Sequence, residues 1–343
     1  MPSTTWENLS FTGRRPLIVC VAFLLFVALG FGLIKFGIFL SKKNVASAWS
    51  GFASSVAEKV GDVKDITRPK IKPEVEVIPS PKRPVLNSGA KILNPADFTG
   101  RNIVVRDSGT GKMLYGKAAY DPWPMASVTK LLSALVLLDA PINFASTTVA
   151  AVDGAPDNDV AIGATYYVKD LWNAGLISSS NRAVLSLADS TGLTREEFVG
   201  RMNEKARQLG MTGTKVVEPT GLDARNQSTA ADIAVLLAEA LRKPEILESV
   251  RVTTYNLADV NGRYGKQIKT TDWLLSGAIS NFGLELVGGK TGYIPESGYN
   301  FAAETVSSTN HVVVVVLGAR SIDARFTEAR RAAEWAYQNF TWK

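Results

Sequence analysis

The sequence predicts a mixed α/β (α+β) domain: an antiparallel sheet drawn from the two ends of the domain, with a mostly helical insertion between them. Three observations predict it. Strand signals fill Asn102–Asp107 and Met113–Gly116 and return at Tyr299–Thr305 and His311–Leu317. Helical patterns dominate from Ser127 to about Glu248. The run Leu131-Leu132-Ser133-Ala134-Leu135-Val136-Leu137-Leu138 is apolar on nearly every side, as in a helix buried in mid-domain rather than lying on a surface. Strands at both ends with helices between them place the first and last parts of the domain in one sheet.

Taken in order, residues 1–15 are short and polar and end in Arg14-Arg15; they are expected to form a cytoplasmic tail. Residues 16–40 follow, and from Leu17 to Ile34 they carry no charge, a length that suffices to cross a bilayer. Lys35 near the end can snorkel to the interface. An uncleaved transmembrane signal anchor is expected, because the small-x-small run Ala46-Ser47-Ala48 lies past Lys42 and Lys43, where cleavage sites are seldom found. Charge does not orient the segment: Arg14 and Arg15 favour a cytoplasmic N-terminus, whereas Lys35, Lys42 and Lys43 oppose it. Residues 41–96 show no sustained apolar period and mix Pro69, Pro73, Pro79, Pro81 and Pro84 with charge, which reads as a semi-extended tether.

The domain proper is expected over 97–343. Asn102–Asp107, the Gly-bearing turn Ser108–Lys112 and Met113–Gly116 read as strand, turn, strand. Arg195–Leu209 and Ala230–Leu241 carry helical signals, and Asp323–Phe340 reads as an amphipathic helix.

Composition narrows the chemistry. Hydrophobic content of 46% with 20% charge describes a globular protein with one unusually apolar part. The net charge of +6 is spread out, with no basic cluster interleaved with aromatics, so nucleic acid is not an expected partner. The lone histidine, His311, opens a buried-strand run and reads as structural; the lone cysteine, Cys20, lies in the N-terminal apolar segment. Cysteine nucleophiles, Cys/His zinc sites and intramolecular disulfides are thereby excluded, and no metal or cofactor is expected. A hydrolase built from this chain draws its base from Lys, Asp or Glu.

Three short motifs occur in order: Ser127-Val128-Thr129-Lys130, Ser179-Ser180-Asn181 and Lys290-Thr291-Gly292. Ser127 and Lys130 stand three apart at a helix start, so they share a face. Burial opposes a lysine's charge and lowers its pKa, which makes a general base beside a hydroxyl nucleophile. Each motif alone is weak. Together, in this order and at domain-sized spacing, they are the set shared by class A β-lactamases and penicillin-binding proteins.

From Phe98 to Phe340 the chain resembles the low-molecular-mass penicillin-binding proteins of the D-alanyl-D-alanine carboxypeptidase family. The resemblance extends to Pro124–Leu131, Leu209–Thr212, Pro219–Asp223, Ser228–Asp232, Gly289–Tyr293 and Gly298–Asn300. It implies a β-lactamase/transpeptidase-like fold and serine acyl chemistry on peptidoglycan stem peptides ending in D-Ala-D-Ala, with β-lactam antibiotics as covalent inhibitors. By that resemblance Ser127 attacks the penultimate D-alanine carbonyl and Lys130 takes its proton. Ser179 and Lys290 relay a proton to the leaving D-alanine, and Asn181 holds the substrate amide. Thr291 and Lys290, with Arg320 or Arg325 as weaker candidates, hold the terminal carboxylate. The N–H groups of Ser127 and Tyr293, on the strand carrying Gly292, form the oxyanion hole. The resemblance also implies a single-pass membrane protein with an extracytoplasmic domain.

Two departures stand out. Many relatives carry Asn-x-Asn where this chain has Thr270-Thr271-Asp272. The C-terminal β-rich domain of many relatives is not expected after the final helix, leaving attachment to the N-terminal anchor. Three alternatives remain open: a D,D-endopeptidase of the same family, a class A-like β-lactamase using Glu218 to deacylate, and a non-catalytic wall-binding or sensor domain.

Overall fold

A computed structural model describes residues 82–154, 157–281 and 283–343. The expected tail, signal anchor and most of the tether lie outside the described residues. Among the described residues no helix is long and apolar enough to cross a membrane.

The centre is a five-stranded antiparallel sheet. Its strands are β2 (Asn102–Asp107), β3 (Met113–Lys117), β4 (Glu285–Ile294), β5 (Gly298–Ser307) and β6 (Asn310–Ala319), in the order β4-β5-β6-β2-β3. As expected, the first and last parts of the domain meet in it: Val314 on β6 faces Val105 on β2. The valine run reads as uninterrupted because the sheet is covered on both faces. Val312, Val314 and Val316 pack with Ile103, Val105 and Phe326 on one side, while Val313, Val315 and Leu317 pack with Val104 and the helical half on the other.

One face is covered by the C-terminal helix, whose Phe326, Ala329, Ala332, Ala333 and Ala336 are buried against it. The helical half lies on the opposite face. In it, α1 (Thr129–Leu137) has all nine residues buried, in keeping with the apolar composition of its sequence. Around it stand α2 (Val168–Asn173), α3 (Asn181–Asp189), α4 (Arg195–Gln208), α5 (Ala230–Leu241) and α6 (Pro244–Val250); the C-terminal helix is α7 (Ile322–Asn339). The start of α4 is fixed by a capping box between Thr194 and Glu197.

One boundary needs correction. Pro84–Leu86, assigned from sequence to the tether, forms β1 and pairs antiparallel with β7 (Phe340–Trp342), Val85 facing Thr341. Three residues beginning with proline are too short to show a strand period, and their partner lies at the far end of the chain. His311 is structural in the manner expected: its Nδ1 lies 3.1 Å from Glu304 Oε1 across the β5–β6 ladder.

Candidate active site

The three motifs converge where edge strand β4 meets the start of α1. Ser127 sits in a 3-10 turn, Ala126–Val128, that runs directly into α1. Ala126, fully buried, holds φ at +47°, a left-handed conformation that side chains rarely adopt. Ser179 ends a π-helical turn, Ala174–Ser178, and is also left-handed, with φ +66°. Strain of this kind persists only where surrounding structure over-determines it, and here it falls beside two of the three motifs.

Lys130 Nζ lies 2.8 Å from Ser127 Oγ, 2.6 Å from Asn181 Oδ1 and 2.7 Å from the carbonyl of Thr220. Burial lowers its pKa to about 7, against the opposing effect of Glu218 and Asp157. A neutral amine has two N–H bonds and one lone pair. Asn181 and Thr220 offer carbonyl oxygens to the two N–H groups, so the lone pair is left for the Ser127 hydroxyl proton. On the far side, Lys290 Nζ donates to Ser179 Oγ at 2.8 Å and to the carbonyl of Thr291 at 3.2 Å. Its pKa falls well below the ordinary lysine value, through burial first and then through Lys130 and Arg325. Both lysines are buried, whereas Ser127, Ser179 and Asn181 are half-buried. The serine hydroxyls therefore stay partly open to solvent, and the two lysine amines stand behind them.

Close approach of backbones explains the glycines. A Cβ on Gly292 would lie 3.1 Å from the nitrogen of Ser127 and 3.0 Å from the carbonyl of Met125. A Cβ on Gly221, at φ +90°, would lie 1.9 Å from the carbonyl of Ala126. Because β4 is an edge strand, one row of its N–H groups has no partner strand, and Gly292 sets that edge beside Ser127. This provides the setting for an oxyanion hole shared by the Ser127 and Tyr293 N–H groups. The Tyr293 ring is half-exposed and packs on Tyr299 with centroids 4.5 Å apart.

Thr291 and Lys290 adjoin on β4, as sequence requires. Of the two arginines, Arg325 is buried between the rings of Tyr299 and Phe326 and donates to the carbonyl of Gly292 at 3.4 Å. Burial lowers its pKa to about 10. Arg320 is exposed just past the end of β6, and its backbone N–H donates to Thr99 Oγ1.

Three supports were not read from sequence. Asp157 Oδ2 accepts from Ser180 Oγ at 2.6 Å and from the N–H of Arg182, and its Oδ1 accepts from Asp159 and Val160, clamping the Ser179–Asn181 turn. Burial opposes its charge, yet these hydrogen bonds outweigh it and hold its pKa below the ordinary carboxylate value. Thr271 Oγ1 lies 2.6 Å from Thr291 Oγ1. Glu218, suspected as a water-activating base, has both oxygens engaged. Oε2 accepts from the N–H and hydroxyl of Thr220, and Oε1 accepts from the N–H of Gly221 and from Asn226 Nδ2. It closes the turn that presents the Thr220 carbonyl to Lys130. The only sequence cue for Glu218 and Thr220 is their place in Glu218-Pro219-Thr220-Gly221; Asp157 gives none.

A serine hydroxyl beside a buried amine whose pKa is lowered to about 7, set against an edge strand, is an arrangement suited to serine acyl transfer. The sequence profile of a peptidase family described as D-alanyl-D-alanine carboxypeptidase matches residues 90–321. The chain belongs to that family, and it is a serine-type peptidase of the penicillin-binding class. A D-alanyl-D-alanine endopeptidase of Pseudomonas aeruginosa is 32% identical over 244 residues, 70% of this chain and 77% of that protein. A D-alanyl-D-alanine carboxypeptidase of Escherichia coli is 30% identical over 280 residues, 76% of this chain and 66% of that protein. Penicillin-binding protein D2 from Listeria monocytogenes, solved in its cefotaxime-bound form, is 27% identical with a TM-score of 0.62, covering 72% of this chain and 99% of that one.

Proposed function

We propose that the chain removes the terminal D-alanine from peptidoglycan stem peptides ending in D-Ala-D-Ala, through an acyl-enzyme on Ser127. The observation that carries this reading is the position of Lys130 Nζ, 2.8 Å from Ser127 Oγ and within hydrogen-bond reach of the Asn181 and Thr220 carbonyl oxygens, which together direct the lone pair of the neutral amine at the hydroxyl. Lys130 takes the proton as Ser127 Oγ bonds to the penultimate D-alanine carbonyl. The tetrahedral oxyanion lies between the Ser127 and Tyr293 N–H groups. Its collapse breaks the peptide bond, and the leaving amine takes a proton through Ser179, which Lys290 re-supplies. Asn181 gives its oxygen to Lys130, so its amide N–H groups remain for the substrate amide. Lys290, Thr291 and Arg325 grip the terminal carboxylate. Water then hydrolyses the ester, giving its proton back to Lys290 through Ser179 while Lys130 returns its own to Ser127 Oγ. β-Lactams, whose ring amide mimics the scissile bond, acylate the same oxygen, as the cefotaxime-bound relative suggests.

A second reading, D,D-endopeptidase, is favoured by the Pseudomonas aeruginosa relative. Both reactions pass through the same acyl-enzyme and differ in the amine that leaves. Incubating the full chain with a pentapeptide and with cross-linked dimers, then weighing the products, separates them. Release of D-alanine alone supports the carboxypeptidase; cleavage of dimers supports the endopeptidase. No release from either, with no penicillin label on a folded protein, leaves the non-catalytic alternative.

Residues 16–40 serve in this reading as a membrane anchor, with the chain from 41 to the start of β1 as the tether and the peptidase domain on the extracytoplasmic side. Protease digestion of intact and lysed spheroplasts tests that orientation.

A further inference from the structure

The departure at Thr270-Thr271-Asp272 lies at the active site rather than beside it. The N–H of Thr271 donates to the carbonyl of Ile177, two residues before Ser179, and its hydroxyl meets that of Thr291. The segment thus ties the turn of the second motif to the strand of the third. Asp272 is buried, and its Oδ1 accepts from the N–H groups of Leu274 and Leu275. Its Oδ2 has no hydrogen-bond partner, although a buried unpaired oxygen is costly. This oxygen lies against Gly289, where a Cβ would stand 3.0 Å from it. Strand alternation puts Lys290 on the other face of β4 from Gly289. The Nε of Arg325 is likewise buried without a partner.

Resting on the carboxypeptidase reading, we propose that Asp272 is a positioning residue: its carboxylate, buried behind Gly289, is the counter-charge that keeps Lys290 protonated to grip a free terminal carboxylate.

The surrounding charges support this. Lys290 on β4 is disfavoured as a cation by burial, by Lys130 on α1 and by Arg325 on α7, and Asp272 opposes all three. Arg325 feels Asp272 and also Tyr299 on β5. Burial raises Asp272 itself to about 6, against its two backbone hydrogen bonds and the attraction of Arg325 and Lys290. Above that pH Asp272 carries charge and supports Lys290. Below it, the support is withdrawn.

The test compares acylation of Ser127 by benzylpenicillin, which has a free carboxylate, with acylation by its neutral methyl ester, from pH 5 to 9, in wild type and Asp272→Asn. In the variant the preference for the free acid falls about tenfold at pH 8, the effect of roughly one pKa unit on Lys290. It converges with wild type below about pH 6, and any loss through the Ser179 relay falls on acid and ester alike and so leaves the ratio untouched. The same ratio in both proteins at every pH overturns the proposal while leaving the acyl-enzyme intact; no acylation by either compound overturns the carboxypeptidase reading instead. Wild type supplies a measurement that does not depend on the variant folding. A protonated-carboxyl infrared band, absent from Asp272→Asn where that variant folds, persists above the range of surface carboxylates and disappears as pH rises through about 6. A wild-type band that persists unchanged to pH 9 means an Asp272 without charge and overturns the proposal.

Discussion

Lys130 and Lys290 stand on either side of one cleft, each 2.8 Å from a different serine, Ser127 and Ser179. Each is buried, and Lys130 adds to the burial that lowers the appetite of Lys290 for a proton. The pair resolves a conflict of roles: Lys130 is proposed to act neutral, whereas Lys290 is proposed to carry charge. Asp272 stands behind Gly289, across the strand from Lys290, and the hydrogen-bonding demands of Asn181 and Thr220 fall on Lys130.

Ser127→Ala leaves the fold intact, because Ser127 is half-buried and its hydroxyl bonds only to Lys130 among the described contacts. It abolishes the covalent penicilloyl adduct seen by intact-protein mass spectrometry. A folded Ser127→Ala protein that still releases D-alanine would contradict the mechanism outright.

Lys130→Ala lowers the acylation rate about 10²- to 10⁴-fold, the range for losing a general base. In wild type the rate rises with pH through about 7, since the lysine must lose its proton before it can accept one from Ser127. A stopped-flow pH profile checks this; a rate flat from pH 5 to 9 excludes Lys130 as the base.

Glu218→Gln presents an NH₂ group to donors that now meet a carboxylate, costing roughly 1–3 kcal/mol. Acylation slows because the Thr220 carbonyl shifts from Lys130, while the lifetime of the penicilloyl ester changes little. A selectively prolonged ester lifetime, measured by the decay of bound fluorescent penicillin, would instead make Glu218 a β-lactamase-type base.

Gly221→Ala cannot be absorbed by a rotating side chain, since the added carbon meets the backbone of Ala126 and φ is +90°. The expected loss is roughly 3 kcal/mol or more, a fall of about 10 °C in Tm, with acylation lost in parallel. A melting curve matching wild type would show that the turn and Ser127 do not abut.

Asp157→Ala releases the clamp on Ser180 and Arg182. Ser179 then relaxes from its left-handed conformation, and turnover of the pentapeptide falls by about tenfold or more while Lys130 and Ser127 still react with penicillin. Equal losses for both substrates would place the effect on the whole fold.

Much was legible because local chemistry wrote it. The valine run at 312–316 needs two apolar faces, and it found them between α7 and the helical half. The spacing of Ser127 and Lys130 fixes their contact, whatever the rest of the chain does, once a helix begins there. The order of the three motifs was visible for the same reason: each is a short run of contiguous residues. What remained hidden depends on partners distant in sequence. β1 is three residues long and exists through its pairing with β7. Glu218 offered a carboxylate with two meanings, and only the four donors gathered around it decided between base and latch. Asp157 gave no sign at all.

The sequence by itself determined most of the elements, the helical spacing that sets Ser127 beside Lys130, and the family. The tertiary structure alone decided which arginine approaches the Lys-Thr-Gly strand, how near that strand's edge comes to Ser127, and which charges face each other across it. The physical reason is range: helical spacing and apolar periodicity act over a few residues of chain, whereas desolvation and electrostatic coupling depend on distances through space.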